Sequence, residues 1–264
     1  MRRNLLITLA LSAAVAVGVT AIASAAQVKL RAGNIIATFG GNSIPKAMPK
    51  NKFVPVKANI FGKVATSDGT HVSALREAVV DFDKDIKINP KGLPVCKPGQ
   101  LEARNTTAAK RVCGKTEVGS GLAHAEIAFP EQRPITVTSP ITIFNGGGNA
   151  RRTKLLIHTF LTVPVPAAIV TQVNIKKKGA GITSTSKVPV IAGGSGSVLD
   201  FKFNIGRSFK YKGKKTALNM AKCPDGKFKV STPKILFKNE AEEPNVAART
   251  VLKGGLSVPC RPKG

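Results

Sequence analysis

The chain has 264 residues, with 41 Lys+Arg against 14 Asp+Glu for a net charge of +27, while 42% of positions are hydrophobic and 21% charged. That apolar content suffices for a packed core and excludes a disordered polybasic tail. Twelve Phe, one Tyr and no Trp beside 25 Gly and 17 Pro describe a small-residue, turn-rich chain of the all-β class.

At the N-terminus, Arg2 and Arg3 precede an apolar run from Leu5 to Ala23 broken only by Thr8, Ser12, Gly18 and Thr20, and Ala23-Ser24-Ala25 follows it. This charged, apolar, small-residue order predicts a secretory signal over residues 1–25; left uncleaved, the same run is long enough to anchor in a bilayer. No Cys at the junction provides a lipid anchor, and Ser257 to Gly264 offers no apolar tail. A soluble mature chain with a net charge of +25 is therefore expected outside the cell or at its surface.

Period-two alternation follows: Val54, Val56, Ala58 and Ile60 alternate with Pro55, Lys57 and Asn59, and Leu199, Phe201, Phe203 and Ile205 with Asp200, Lys202 and Asn204. Such patterns mark half-buried strands. Similar runs at 78–82, 135–137, 141–143, 169–175, 209–211, 228–230 and 235–237, separated by Gly, Pro and Asn clusters, predict an antiparallel β-sandwich. The helix candidate is Pro98 to Val112, opened by Pro98 as a first-turn residue. Val56–Ile60 resembles Val170–Ile175, and Leu75–Phe82 resembles Leu199–Ile205. A duplication with drifting offsets follows, dividing the chain into β-rich halves 26–148 and 149–264, as two sandwiches or one continuous domain.

All four cysteines lie after residue 25, an even number in a chain read as exported, so disulfides are expected. Of three pairings, Cys96 with Cys113 and Cys223 with Cys260 is preferred, because each pair brackets a Pro/Gly-rich or loop-like stretch far from the other. Zinc is disfavoured: there is no C-x-x-C, and His71, His124 and His158 lack ligand spacing. Leu93-Pro94-Val95-Cys96 with Cys113, Val118-Gly119-Ser120-Gly121, Phe144-Asn145-Gly146, Leu155-Leu156-Ile157-His158, and Gly196 to Phe201 ahead of Cys223 together resemble a family of uncharacterised secreted bacterial proteins with two cysteine pairs. The resemblance spans about Lys46 to Cys260 and implies export and a β-rich fold, with no activity and no catalytic residue.

Motifs for chemistry fall short. Gly193-Gly194-Ser195-Gly196-Ser197 has Ser where a nucleophile turn needs its last Gly, and Gly213-Lys214-Lys215-Thr216 lacks the glycine spacing of a phosphate loop. Asn145 to Asn149 with Arg151 and Arg152 has the composition of an anion-holding loop, though a plain hairpin fits as well. Asp81, Asp83 and Asp85 fall on one face of an extended chain, yet the glycine and distal Glu of a calcium loop are missing and Lys84 and Lys87 supply counter-charge. Paired carboxylates would also serve a glycosidase, but the aromatic platforms of a sugar cleft are absent. No catalytic residue, metal or cofactor is called for. The sequon at Asn105 is read as accidental.

Charge carries what functional content remains. Residues 26–150 hold 17 basic and 9 acidic side chains, whereas residues 151–264 hold 22 and 5. If 199–205 and 209–211 form a hairpin around Gly206-Arg207-Ser208, Ile205 pairs with Phe209 and Lys202 lies opposite Lys212, sharing an outer face with Lys210 and Lys214. Lys202, Arg207, Lys210, Lys212, Lys214 and Lys215 then form an anion-binding face, because directly opposed like charges are unfavourable by up to about 1 kcal/mol unless something offsets them. The expected partner is an anionic envelope polymer or lipid headgroup. Nucleic acid is the lesser reading, since single strands want stacked aromatics and no recognition helix is evident. The bland alternative is that the lysines only keep a secreted β-protein soluble and its edges unpaired; an enzyme of unrecognised type completes the field.

Overall fold

The computed structural model describes residues 25–129, 132–238 and 249–264. The predicted signal segment lies outside these apart from Ala25, and the first strand opens at Ala26. Residues 26–149 supply β1 (Ala26–Ala32), β2 (Ile35–Ile44), β3 (Ala47–Pro49), β4 (Val54–Pro55), β5 (Lys57–Thr66), β6 (Ala74–Phe82), β7 (Ile86–Ile88), β8 (Glu117–Phe129) and β9 (Gln132–Asn149). The rest supplies β10 (Arg152–Leu161), β11 (Ala167–Lys178), β12 (Gly181–Lys187), β13 (Gly196–Ile205), β14 (Ser208–Tyr211), β15 (Lys214–Ala217), β16 (Asn219–Ala221), β17 (Lys227–Lys238), β18 (Arg249–Pro259) and β19 (Arg261–Lys263). The two-residue rhythm sorts the side chains. On β13, Phe201, Phe203 and Ile205 turn to the core while Lys202 and Asn204 are exposed.

Twelve strands form one antiparallel sheet in the order β1-β2-β5-β13-β8-β9-β10-β11-β12-β6-β17-β18. Its two edges approach each other: Leu30 of β1 occupies the space a Cβ would need at Gly254 of β18. Inside, Ile35, Val64, Leu75, Phe237 and Leu252 form one apolar cluster, and Val118, Ile143, Leu155, Val173 and Ile205 another. Since β13 also touches β6, six places away in strand order, the flanks of the sheet pack on each other. The expected antiparallel all-β class stands, with both layers cut from one sheet.

The strand order shows how the halves combine. Read from β1, it runs through first-half strands, takes in β13, and returns to β8 and β9; read from β10, it runs through second-half strands, takes in β6, and continues to β17 and β18. Each half lends its fourth long strand to the other. The expected likeness of Leu75–Phe82 to Leu199–Ile205 falls on these two exchanged strands. The likeness of Val56–Ile60 to Val170–Ile175 is one strand out of step, because strand order sets β5 level with β12 and β2 level with β11. The 148/149 boundary lies inside β9, one residue before its end.

A proline sits within β9 without breaking it. The β9–β10 ladder stops at Thr142, so Pro140 is bonded only towards β8. Beyond the break, the Ser139 hydroxyl donates to the Phe160 carbonyl and accepts from the Phe160 amide, both at 3.0 Å. One side chain thus replaces a lost ladder contact.

The helix expected over Pro98 to Val112 is divided. Pro98–Gln100 makes a single 3-10 turn, Ala103 takes a positive φ, and α1 spans Thr106–Cys113 with Asn105 as its cap, its side chain accepting from the Ala108 amide. Asn105 outcompetes Pro98 as a start because its oxygen satisfies an amide that the first turn leaves free. The helix covers the outer face of β9 and β10, where Leu101, Ala109, Phe144 and Leu156 pack with a disulfide joining Cys96 to Cys113. The second disulfide joins Cys223 to Cys260, so the expected pairing is found.

Candidate anion-binding surface

The lysine face is assembled differently from the sequence expectation. β13 is bonded on both sides, to β5 and β8, and has no free edge for β14. Lys202 accordingly lies opposite Phe61 and Leu122, not Lys212. β14 instead pairs with β15, with Lys210 directly opposite Lys215 and Tyr211 opposite Lys214. The loop is the two residues Lys212 (φ 49°) and Gly213 (φ 76°). Two successive positive φ values suit the twist of a tight hairpin, and glycine carries one of them without strain.

The hairpin is held from beneath. Phe209 packs into the main core, Thr216 Oγ1 accepts from Asn89 Nδ2 at 3.1 Å, and the Tyr211 ring fills the space over Gly92, with Lys91 Nζ 5.7 Å from the ring centroid. Lys210, Lys212, Lys214 and Lys215 are left exposed, and none has an ion-pair partner among the described residues. Arg207 is engaged elsewhere: its guanidinium donates to the carbonyls of Lys115 (2.6 Å) and Glu117 (3.0 Å), clasping the chain after α1. Of the six predicted residues, four therefore fall on this one hairpin, Lys210 and Lys215 sharing one face of its ladder and Lys214 lying opposite Tyr211 on the other. Arg207 is a structural clasp, and Lys202 stands on a separate strand of the main sheet.

The three aspartates disperse. β6 ends at Phe82 and the chain turns, so only Asp81 keeps a strand position. Its carboxylate accepts from Thr183 at 2.5 Å and meets Lys178 at 2.9 Å; partial burial works to raise its pKa, but the Thr183 hydrogen bond and Lys178 hold it below the ordinary value. Asp83 accepts the amides of Asp85 and Lys229, while Asp85 is buried 3.2 Å from Lys222. The turn at Asp83 removes the shared face on which a calcium reading rested.

A trio invisible in the sequence draws in Ser197, the last residue of the glycine-serine string. His71 Nδ1 is 2.5 Å from Glu126 Oε1, and His71 Nε2 is 3.2 Å from Ser197 Oγ. The order is that of nucleophile, base and acid, but Ser197 is 1% exposed and its hydroxyl donates to the Val72 carbonyl. In this arrangement the trio ties the segment before β6 to β8 and β13. Ser195, the residue in the nucleophile-like position of the string, donates to the Ala192 carbonyl at 2.7 Å. The phosphate-loop-like string Gly213 to Thr216 supplies the hairpin turn and the first residues of β15.

No helix among the described residues is long and apolar enough to cross a membrane. No family model, no curated protein and no solved structure matches this chain.

Proposed function

We propose that this protein is a noncatalytic, exported binding module whose β14–β15 hairpin engages phosphate-bearing polymers of the cell envelope. The observation that carries the reading is the direct opposition of Lys210 and Lys215, with Lys212 and Lys214 beside them and no carboxylate offsetting any of the four. Opposed like charges on a ladder are destabilising, and a polyanion laid along the hairpin removes that cost. Export is supported by the leader-like N-terminus and by two disulfides, which persist in oxidising compartments. Nucleic acid is the weaker candidate: every Phe and Tyr211 is buried or half-buried, which leaves no exposed ring on which a base stacks.

The test compares two charge reversals. With Lys210, Lys212 and Lys215 changed to Glu, retention on long-chain polyphosphate and on isolated envelopes should fall about tenfold, and its salt dependence should flatten, because each lost phosphate contact removes counterion release. Lys202→Glu, on the separate strand, should bind as the parent does. Equal loss in both variants would leave only a general charge effect. Preference for single-stranded DNA over polyphosphate would transfer the function to nucleic acid, and retention only by anionic lipid vesicles would transfer it to headgroups.

A further inference from the structure

A second cationic site lies where β9 meets β10, on residues the hairpin does not use. The ladder between these strands slips: Thr153 pairs with Gly148 and Leu155 with Asn145. Gly146 and Gly147 therefore stand opposite Lys154 alone, a bulge that bends the strand and opens the surface beside it. The bulge is built from within. Asn145 is fully buried; its Nδ2 donates to the Pro94 carbonyl at 2.8 Å, and its Oδ1 accepts the Gly147 amide at 3.1 Å. Gly147 and Gly148 take φ of 93° and 113°, a region that side chains rarely adopt. A Cβ at Gly146 would lie 3.0 Å from Lys154 Cγ, so glycine there lets the lysine stem lie across the bulge.

The result is an open depression of about 350 Å³ floored by the three glycines and walled by Arg152, Lys154, Asn174 and Lys176. On the β10–β11 ladder Arg152 lies directly opposite Lys176, and Lys154 opposite Asn174. Strand alternation puts these four side chains on one face, while Leu155, Val173 and Ile175 point to the core. No carboxylate lines the depression, and none of its three cations has an ion-pair partner among the described residues. Charges of one sign have thus been gathered into a concavity, where fields from neighbouring groups add.

We infer that this depression is a binding site for a phosphate or sulfate monoester. The planar fork of Arg152 matches a tetrahedral oxyanion, with Lys154 and Lys176 as converging point charges. Its volume, at the small end of ligand sites, holds such a group together with a small polyol or sugar carrying it. The site does not rest on the hairpin reading, yet the two are neighbours. Gly92 packs under Tyr211 of the hairpin and Val95 packs over Gly147 of the bulge; only Leu93 and Pro94 lie between them, so Gly92 and Val95 are at most about 11 Å apart along the backbone.

The experiment titrates the full chain with glycerol 3-phosphate and with inorganic phosphate at low ionic strength, by calorimetry. Saturable binding is expected for the parent, at least tenfold weaker binding for Arg152→Gln/Lys176→Gln, and unchanged binding for the triple hairpin variant at Lys210, Lys212 and Lys215. Both glutamine substitutions are at exposed positions, so equal thermal midpoints confirm that folding is intact. No saturable binding by the parent, or equal affinity in the double variant, overturns the site. Loss in the hairpin variant as well overturns it in favour of diffuse attraction. Polymer retention lost only in the hairpin variant, with monoester binding kept, leaves the two sites independently established.

Discussion

The two halves of the chain lend each other a strand and then diverge. After its fourth long strand, the first half runs through the Cys96–Cys113 loop and α1, an apolar plate over the outer face of β9 and β10. After the corresponding strand, the second half runs through the lysine hairpin and then closes with Cys223–Cys260, which ties the chain before β17 to the end of β18. The shared frame fixes where each insertion leaves the sheet, and the insertion decides its chemistry: one buries, the other displays charge. Each is also held by the opposite half. His158 of β10 bonds the Arg104 carbonyl ahead of α1 at 2.9 Å, and Arg207 clasps Lys115 and Glu117 after it.

The most drastic way to break this comparison is to separate the halves. Residues 26–149 alone leave β5 and β8 without β13 between them, and residues 151–264 leave β12 and β17 without β6. Neither fragment should show a cooperative urea transition, whereas the two mixed should recover one; independent folding of either half would refute the exchange as a structural requirement. Cutting the staples comes next in size. Replacing Cys223 and Cys260 by Ser should cost about 4 kcal/mol and replacing Cys96 and Cys113 about 3, following loop length on the chain-entropy account. Urea midpoints measure both, and a larger effect at Cys96–Cys113 would show that the helix plate matters more to the fold than closure of β17 and β18.

The smallest effect tests the tie between the halves. His158 is fully buried; burial pushes its pKa below the ordinary 6.5, and the hydrogen bond to the Arg104 carbonyl opposes that only in part. With Nε2 as the donor to that carbonyl, the folded imidazole is neutral. As pH falls through about 6.5 the unfolded chain takes up a proton that the folded chain refuses. The His158 contribution is therefore complete above that pH and declines below it until the folded pKa is reached, by no more than about 1.4 kcal/mol per pH unit. Urea midpoints at pH 7.5 and 5.5 should differ less in His158→Gln than in the parent. An unchanged pH dependence would remove the imidazole from the account.

The strand around 199–205, the all-β class and both disulfide pairs were legible in the residues themselves, whereas the run expected over 54–60 divides at Val56 between β4, which pairs with β16, and β5 of the main sheet. Alternation of apolar and polar side chains, and cysteines bracketing loops, are local properties that no neighbour needs to supply. The lysines at 210, 212, 214 and 215 were likewise marked by composition. What the residues could not state was which strand lies beside which. β13 and β14 are separated by two residues, and sequence nearness argued for a hairpin between them; β5 and β8 had already taken both edges of β13, so its ladder bonds were spent. The same holds for His71, Glu126 and Ser197, spread over more than a hundred residues, and for Arg152 and Lys176, which meet only because β10 and β11 pair in one register. A side chain's face follows from its own parity along a strand, but its partners follow from edges being filled once only, and that is settled by the whole sheet.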